Sequence, residues 1–429
     1  MANIRHRAQS QDFFYPLDNS AVFIASTTRR AAPYMYRVSC ELDECVYLPD
    51  LEKALAMVIG RYPFLQTELR PGAFWYYLDP LKKPLHVSAD TRYPAEYHNI
   101  GRWGRYLFRI RVYHTRISCE FHHILTDGTG ALEFLKSFLG TYLTLRGVEC
   151  ADWEGIKSAT SSIDPAEFDD AYADISRKDV PLPDVLPDAF HLPGRRYPGL
   201  AYRVTTGTMQ VADVLRVARE KGVTLTELLA SVHLAALQAV SEAHTARTFS
   251  PICIQIPVNM RKYFPTATLR NFFLFIPVSI DRRLGHFEFA EILERVHHLF
   301  RLNLARKELD RQIRRNVRGE KYIWSRLVPL FIKNITLRLI GRFKADKPFS
   351  GNLSNLQTIS MPAAFAAHIT RFDVLPSRKS SLGANICVIS WKDLLSVTVG
   401  SLLVDRAFER EFFTRCVGLG IPVTVEANM

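Results

Sequence analysis

The stretch from Cys119 to Leu139, CEFHHILTDGTGALEFLKSFL, concentrates residues able to move a proton. It holds the adjacent histidines His122 and His123 and, four residues after the second, Asp127 followed by Gly128. A neutral imidazole, with an unperturbed pKa of ~6.5, can take the proton of an attacking alcohol or amine near neutral pH. Two other roles fit the same residues. His123 can be a hydrogen-bonded core histidine with Asp127 as a helix cap, or the His-His-x-x-x-Asp spacing can belong to a metal site. Geometry disfavours the metal: neighbouring strand side chains point to opposite faces, and no HExxH or CxxC completes a ligand set.

These residues need a strand before them and a helix after them. Ile117, Cys119 and Phe121 alternate with Arg116, Ser118 and Glu120, the period of a half-buried strand. That parity puts His123 on the apolar, inward side and His122 on the polar side. Leu132, Leu135, Phe138, Leu139, Tyr142 and Leu143 then recur at helical spacing until Gly147. The chemistry would sit at a strand-to-helix turn.

Upstream, Pro33 to Leu42 alternates as a strand, and Asp50 reads as the cap of a helix whose apolar face runs from Leu51 to Tyr62. Phe74 to Leu78 and Arg105 to Tyr113 read as further strands, joined by short connections as in a mixed or antiparallel sheet. Between Cys150 and Leu200 six prolines gather among Asp, Ser and Gly, which marks a crossover. The chain divides into a lobe over 1–165 that carries the histidine pair, a linker over 166–200 and a second lobe over 201–429. In the second lobe Tyr202 to Thr208 reads as a strand and Val211 to Lys221 as a helix. Thr224 and Glu227 form a capping box for the next helix, and Ile252 to Val258 and Phe272 to Ile280 are strands.

Composition narrows the class. The 429 residues are 48% hydrophobic, enough for a large core. Seven cysteines without a CxxC pair argue against a disulfide framework or zinc ribbon, and a reducing compartment fits best. No secretory h-region and no run of eighteen uncharged apolar residues is visible, so the expectation is a cytoplasmic, monomeric protein without a membrane span. The net charge of +12 is concentrated: Arg295 to Lys347 holds fifteen Lys or Arg against four Asp or Glu, a net of +11. Such a segment attracts phosphates, an acidic carrier protein or an anionic membrane surface. A nucleic-acid partner is not expected, because no nucleic-acid-binding motif accompanies the charge.

The His122-His123…Asp127-Gly128 spacing, with its strand and helix, resembles the HHxxxDG motif of the acyltransferase superfamily that includes peptide-synthetase condensation domains, alcohol acyltransferases and chloramphenicol acetyltransferase. IPVNMRKYFPTATLRNFF and FSGNLSNLQTISMP resemble second-lobe segments of bacterial alcohol acyltransferase-like proteins, as do LDNSAVF and RYPFLQTEL in the first lobe. The DFGWG of the plant branch is missing; Gly383 to Trp391 reads GANICVISW. The resemblance implies an α/β fold of two chloramphenicol-acetyltransferase-like lobes, each a mixed sheet flanked by helices, with a channel between them. It implies acyl transfer from a thioester to an alcohol or amine. The donor is acyl-CoA as co-substrate, with no bound cofactor, or an acyl carrier protein in the condensation-type alternative. A non-catalytic binding protein on the same fold is the other alternative.

By the same resemblance His123 is the general base, and Asp127 turns from substrate to pair with Arg261. Gly128 allows a close backbone approach, and His122 packs locally. Oxyanion donors are sought in Ser354 and Asn355, in a Ser-Asn-Leu turn favoured by Gly351-Asn352, or in Asn271. Residues 322–343, YIWSRLVPLFIKNITLRLIGRF, mix aromatic and aliphatic residues with Arg326, Lys333, Arg338 and Arg342, as an interfacial helix would.

Overall fold

Alternation in the first half of the chain becomes strands that share one sheet. In the computed structural model, which describes residues 14–175, 180–244, 250–321, 327–341, 346–379 and 382–428, the chain opens with β1 (Tyr15–Pro16), α1 (Asn19–Thr27), β2 (Met35–Leu42) and α2 (Leu48–Val58). β3 (Thr67–Pro71), β4 (Tyr76–Pro80), β5 (Val87–Ala89), β6 (Phe108–Tyr113), β7 (Arg116–His122) and α3 (Gly128–Leu145) follow. α2 starts earlier than the Asp50 cap implied. Tyr47 is its N-cap and Pro49 lies in its first turn, where a missing N–H costs nothing.

The apolar side of β2, β6 and β7 packs on α2 and α3. Phe134 of α3 meets Tyr62, Phe108 and Phe121 edge-on, and truncating such a side chain costs about 3–5 kcal/mol. The opposite face is polar in sequence yet closed to water. Arg37 places Nη1 and Nη2 at 2.8 and 2.6 Å from the Asp90 carboxylate and Nη2 at 2.8 Å from Glu120. The Ala95 N–H also donates to Glu120, at 2.7 Å. Against the penalty of burial, Arg37 and Arg109 hold the Glu120 carboxyl down at about 2.

Past the proline-rich crossover, which contains the short helix α4 (Ala171–Ile175), come β8 (Arg203–Gln210), α5 (Val211–Glu220), α6 (Leu225–Ala243), β9 (Ile252–Asn259) and β10 (Phe273–Ile280). The Thr224–Glu227 capping box is formed, with reciprocal hydrogen bonds of 2.7 and 3.3 Å. α7 (Phe289–Asn303), α8 (Arg306–Lys321), α9 (Leu330–Ile340), β11 (Gly351–Ile359), α10 (Ala363–Ala366), β12 (Ile369–Leu375), β13 (Ala384–Trp391), β14 (Leu394–Ser401), α11 (Ala407–Gly418) and β15 (Thr424–Ala427) complete the described chain.

The second lobe is a seven-stranded mixed sheet in the order β10-β9-β11-β13-β14-β8-β15, with β11 parallel to both its neighbours. The first lobe's main sheet runs β12-β2-β7-β6-β5. Among the described strands, β12 crosses the division at 201. β12 leaves the second half and pairs antiparallel with β2, Phe372 opposite Cys40 and Val374 opposite Val38. No single helix among the described residues is long and apolar enough to cross a membrane.

Candidate active site

The turn from β7 into α3 is fixed from three sides. Tyr36 of β2 donates its hydroxyl to the carbonyls of Thr126 and Asp127, at 3.1 and 2.8 Å. The Thr126 hydroxyl donates to the Leu269 carbonyl at 2.5 Å. Asp127 is the N-cap of α3: Oδ1 accepts from the N–H groups of Thr129 and Gly130, while Oδ2 accepts from Arg261 Nη1 at 2.8 Å and from the Phe272 N–H at 2.9 Å. Arg261 also donates to the carbonyls of Thr268 and Arg270. One carboxylate thus caps the helix and ties it to the loop between β9 and β10.

His122 and His123 part company at this turn. β7 ends at His122, so the parity that put His123 toward the apolar core stops one residue short of it. The His123 ring turns instead into a cavity of about 1040 Å³ between the lobes, walled by α1, the β7–α3 turn, β9, β10, β11 and α9. Its ring lies 4.2 Å from that of Tyr36, centroid to centroid. Its N–H donates to the Tyr34 carbonyl, and its own carbonyl accepts from Asn271 Nδ2 at 2.7 Å. Nδ1 is shut off from solvent, with the Thr126 carbonyl and the Asn271 side chain beside the ring. Burial pulls the His123 pKa down to about 4; the Asp127 carboxylate opposes that pull and the Lys379 ammonium adds to it. The imidazole is therefore neutral near pH 7.

His122 is fully buried on the other face. Its Nδ1 accepts from the Ile124 N–H at 3.2 Å, which leaves Nε2 to donate to Thr28 Oγ1 at 3.3 Å. Both nitrogens are engaged in holding the turn, and burial keeps the ring uncharged.

The second-lobe residues sort differently from expectation. Asn271 is buried, and its amide N–H groups are committed to His123 O and to Asp18 Oδ2 at 2.9 Å. It holds the backbone behind the His123 ring. Ser354 and Asn355 lie on β11 and not in a turn, because flanking by β9 and β13 overrides the local turn preference of Gly351-Asn352. Both line the cavity. Asn355 is occupied by Thr226 Oγ1 at 2.9 Å, whereas Ser354 stands opposite Cys387 and hydrogen-bonds its thiol.

Gly128 lines the cavity, and a Cβ there would come 2.9 Å from Leu356 Cδ2, a movable side-chain tip. The tight approach belongs to Gly130, where a Cβ would press on the Leu269 carbonyl oxygen and on Thr126 Oγ1. Its place two residues beyond Gly128 was the available signal. Lys379, the other residue missed, lines the cavity with its Nζ 3.4 Å from Asp346 Oδ1. A lone lysine in the sequence carries no such signal. Among the described residues no group of three His, Cys, Asp or Glu side chains could hold a metal ion.

No family model and no curated protein sequence matches the chain. Solved structures do. The first condensation domain of the calcium-dependent antibiotic synthetase aligns with a TM-score of 0.63 at 14% identity, covering 96% of each chain. Polyketide synthase associated protein 5 from Mycobacterium tuberculosis aligns at 0.61 and 13% identity, over 94% of this chain and 98% of that one. The trichothecene 15-O-acetyltransferase from Fusarium sporotrichioides gives 0.60 at 10% identity, over 94% of each. With its two sheet-and-helix lobes and the cavity between them, the chain has the fold of the condensation domains and of this acetyltransferase.

Proposed function

We propose that the protein is an acyltransferase that moves an acyl group from a thioester, acyl-CoA in the first instance, to an alcohol or amine acceptor. The observation that carries this reading is a neutral histidine, His123, set in the wall of a large inter-lobe cavity with its backbone clamped on both sides. Nε2 is the nitrogen left for substrate. It takes the acceptor's proton as the oxygen or nitrogen attacks the thioester carbon; the C–S bond then breaks, and the thiolate leaves with the proton from the imidazolium. The oxyanion formed in between needs a donor, and the Ser354 hydroxyl is our assignment, since Asn271 and Asn355 donate to oxygens while Ser354 has only the weakly accepting Cys387 sulfur to give up.

Asp127, Gly128 and His122 shape the turn and touch no reacting atom. His123→Ala should lower acyl transfer, read as thiol release, by ~10²- to 10⁴-fold while the melting temperature changes little. A well-folded variant that transfers at the wild-type rate would remove His123 as the base. The basic segment from Arg295 to Lys347 and the likeness to condensation domains support a second donor, an acyl carrier protein. Comparing acyl-CoA with acylated carrier as donor separates the two, and absence of thiol release from either would leave a non-catalytic binding protein.

A further inference from the structure

Helix α9 stands between the inter-lobe cavity and the outside. Thr336, Leu337 and Ile340 line the cavity. Lys333, turned inward, donates to the Phe74 carbonyl at 2.8 Å and lies 3.3 Å from the centre of the Trp75 ring. The outer side is apolar. Phe331, Ile335 and Leu339, one helical stripe at four-residue spacing, are 66%, 57% and 52% exposed. The Leu330 N–H donates to the Ala73 carbonyl at 3.0 Å, which brings the exposed Phe74 alongside. A helix on the surface of a globular protein normally turns polar residues to water and apolar ones to the core. This one also turns a stripe of three large apolar side chains to water.

The far end of the same face is cationic. A second cavity, of about 390 Å³, is bordered by Ile335, Leu339, Arg338 and Arg29. Arg338 donates through Nε to the Ser26 carbonyl, and among the described residues the Arg29 side chain makes no ion pair. Asp346, the one acid on this wall among the described residues, is 3.4 Å from Lys379 Nζ. The expected interfacial segment 322–343 is thus represented by 327–341; residues 322–326 and 342–343, with Arg326 and Arg342, lie outside the described residues.

We infer that this face docks on a bilayer containing anionic lipid. Phe331, Ile335 and Leu339 enter the boundary between headgroups and acyl chains, and Arg29 and Arg338 meet headgroup phosphates. Residues 322–343 hold four Lys or Arg and no Asp or Glu, the sign that anionic lipid attracts. Docking sets the cavity wall against the membrane, so a substrate with a long alkyl chain reaches His123 without crossing water. That last step rests on the acyltransferase reading; the docking does not.

The test is co-sedimentation of the full chain with vesicles of phosphatidylcholine alone and of phosphatidylcholine mixed with phosphatidylglycerol, at low and high salt. Binding is expected to the mixed vesicles only, and to be lost at high salt. Phe331→Ser, Ile335→Ser and Leu339→Ser combined should weaken it by at least about a hundredfold, and Arg29→Gln with Arg338→Gln by roughly tenfold. These apolar side chains are exposed, so the combined variant should keep the wild-type circular dichroism. His123→Ala should bind vesicles like the wild type, which reads docking separately from catalysis. Absence of binding to the mixed vesicles, or undiminished binding by the triple variant, would overturn the inference. So would a dimer in sedimentation velocity that the triple variant dissolves, because the face would then meet a second copy of this chain.

Discussion

His122 and His123 share a peptide bond and have opposite surroundings, and a proton titration tells them apart. The pKa of His122 is held well below the ordinary value, that of His123 at about 4 and that of the buried His233 at about 3, in each case chiefly by burial. The base that we propose works in its neutral form. kcat/KM should therefore stay level from pH 8 down to about 5 and fall toward tenfold per unit only below the His123 pKa of about 4. A break near ~6.5 would mean that the imidazole is not desolvated at the proposed site. Stability shifts first. Between ~6.5 and the folded values the unfolded chain binds more protons than the folded one, so the contribution of these three histidines is intact above ~6.5 and is lost as pH falls. Circular dichroism at each pH should accompany the rate measurements.

The β7–α3 turn is where the two glycines of DGTG can be weighed against each other. Gly130→Ala forces its methyl onto the Leu269 carbonyl, a backbone atom in a loop already anchored by Thr126 and Arg261. The cost should be about 1–3 kcal/mol or more, with a matching drop in melting temperature. Gly128→Ala meets only the side chain of Leu356 and should cost less than about 1 kcal/mol, although it narrows the cavity that the proposed acyl substrate would enter. Equal losses in the two variants, by thermal unfolding, would contradict this ordering. The turn was legible in the sequence because the apolar period changes from two to 3.6 within the six residues between Phe121 and Gly128. The polar face of β7 was misleading. Arg116, Ser118 and Glu120 look like a solvent side until Arg37 and Asp90, distant in sequence, arrive to close it. Ser354 was misplaced in a turn for a related reason: Gly and Asn set local preference, and pairing on both sides of β11 outweighs it.

The two lobes are joined by more than the crossover. Asp127 reaches Arg261, Thr129 reaches Asn259, and Trp391 of β13 donates to the Ile369 carbonyl of β12, which itself completes the first sheet. Heat should unfold them together, as one calorimetric transition whose van't Hoff and calorimetric enthalpies agree. Two resolved transitions would show the lobes to be independent. The fragment 1–165, lacking β12, should be insoluble, since β2 would present an unpaired edge. Two lobes were readable from the order of strands and helices on either side of the proline-rich stretch. The exchange was not, because Ile369 to Leu375 looks in sequence like any other strand of the half in which it lies. That exchange also bears on how the protein is made. While the chain is still emerging from the ribosome, β2, β7 and β6 can pair and α3 can settle on them, but the strand that closes their edge is some 330 residues behind β2. For most of its synthesis the nascent first lobe must keep that edge from pairing with neighbours, which makes chaperone occupancy during translation, and its release as β12 appears, a property written into the topology.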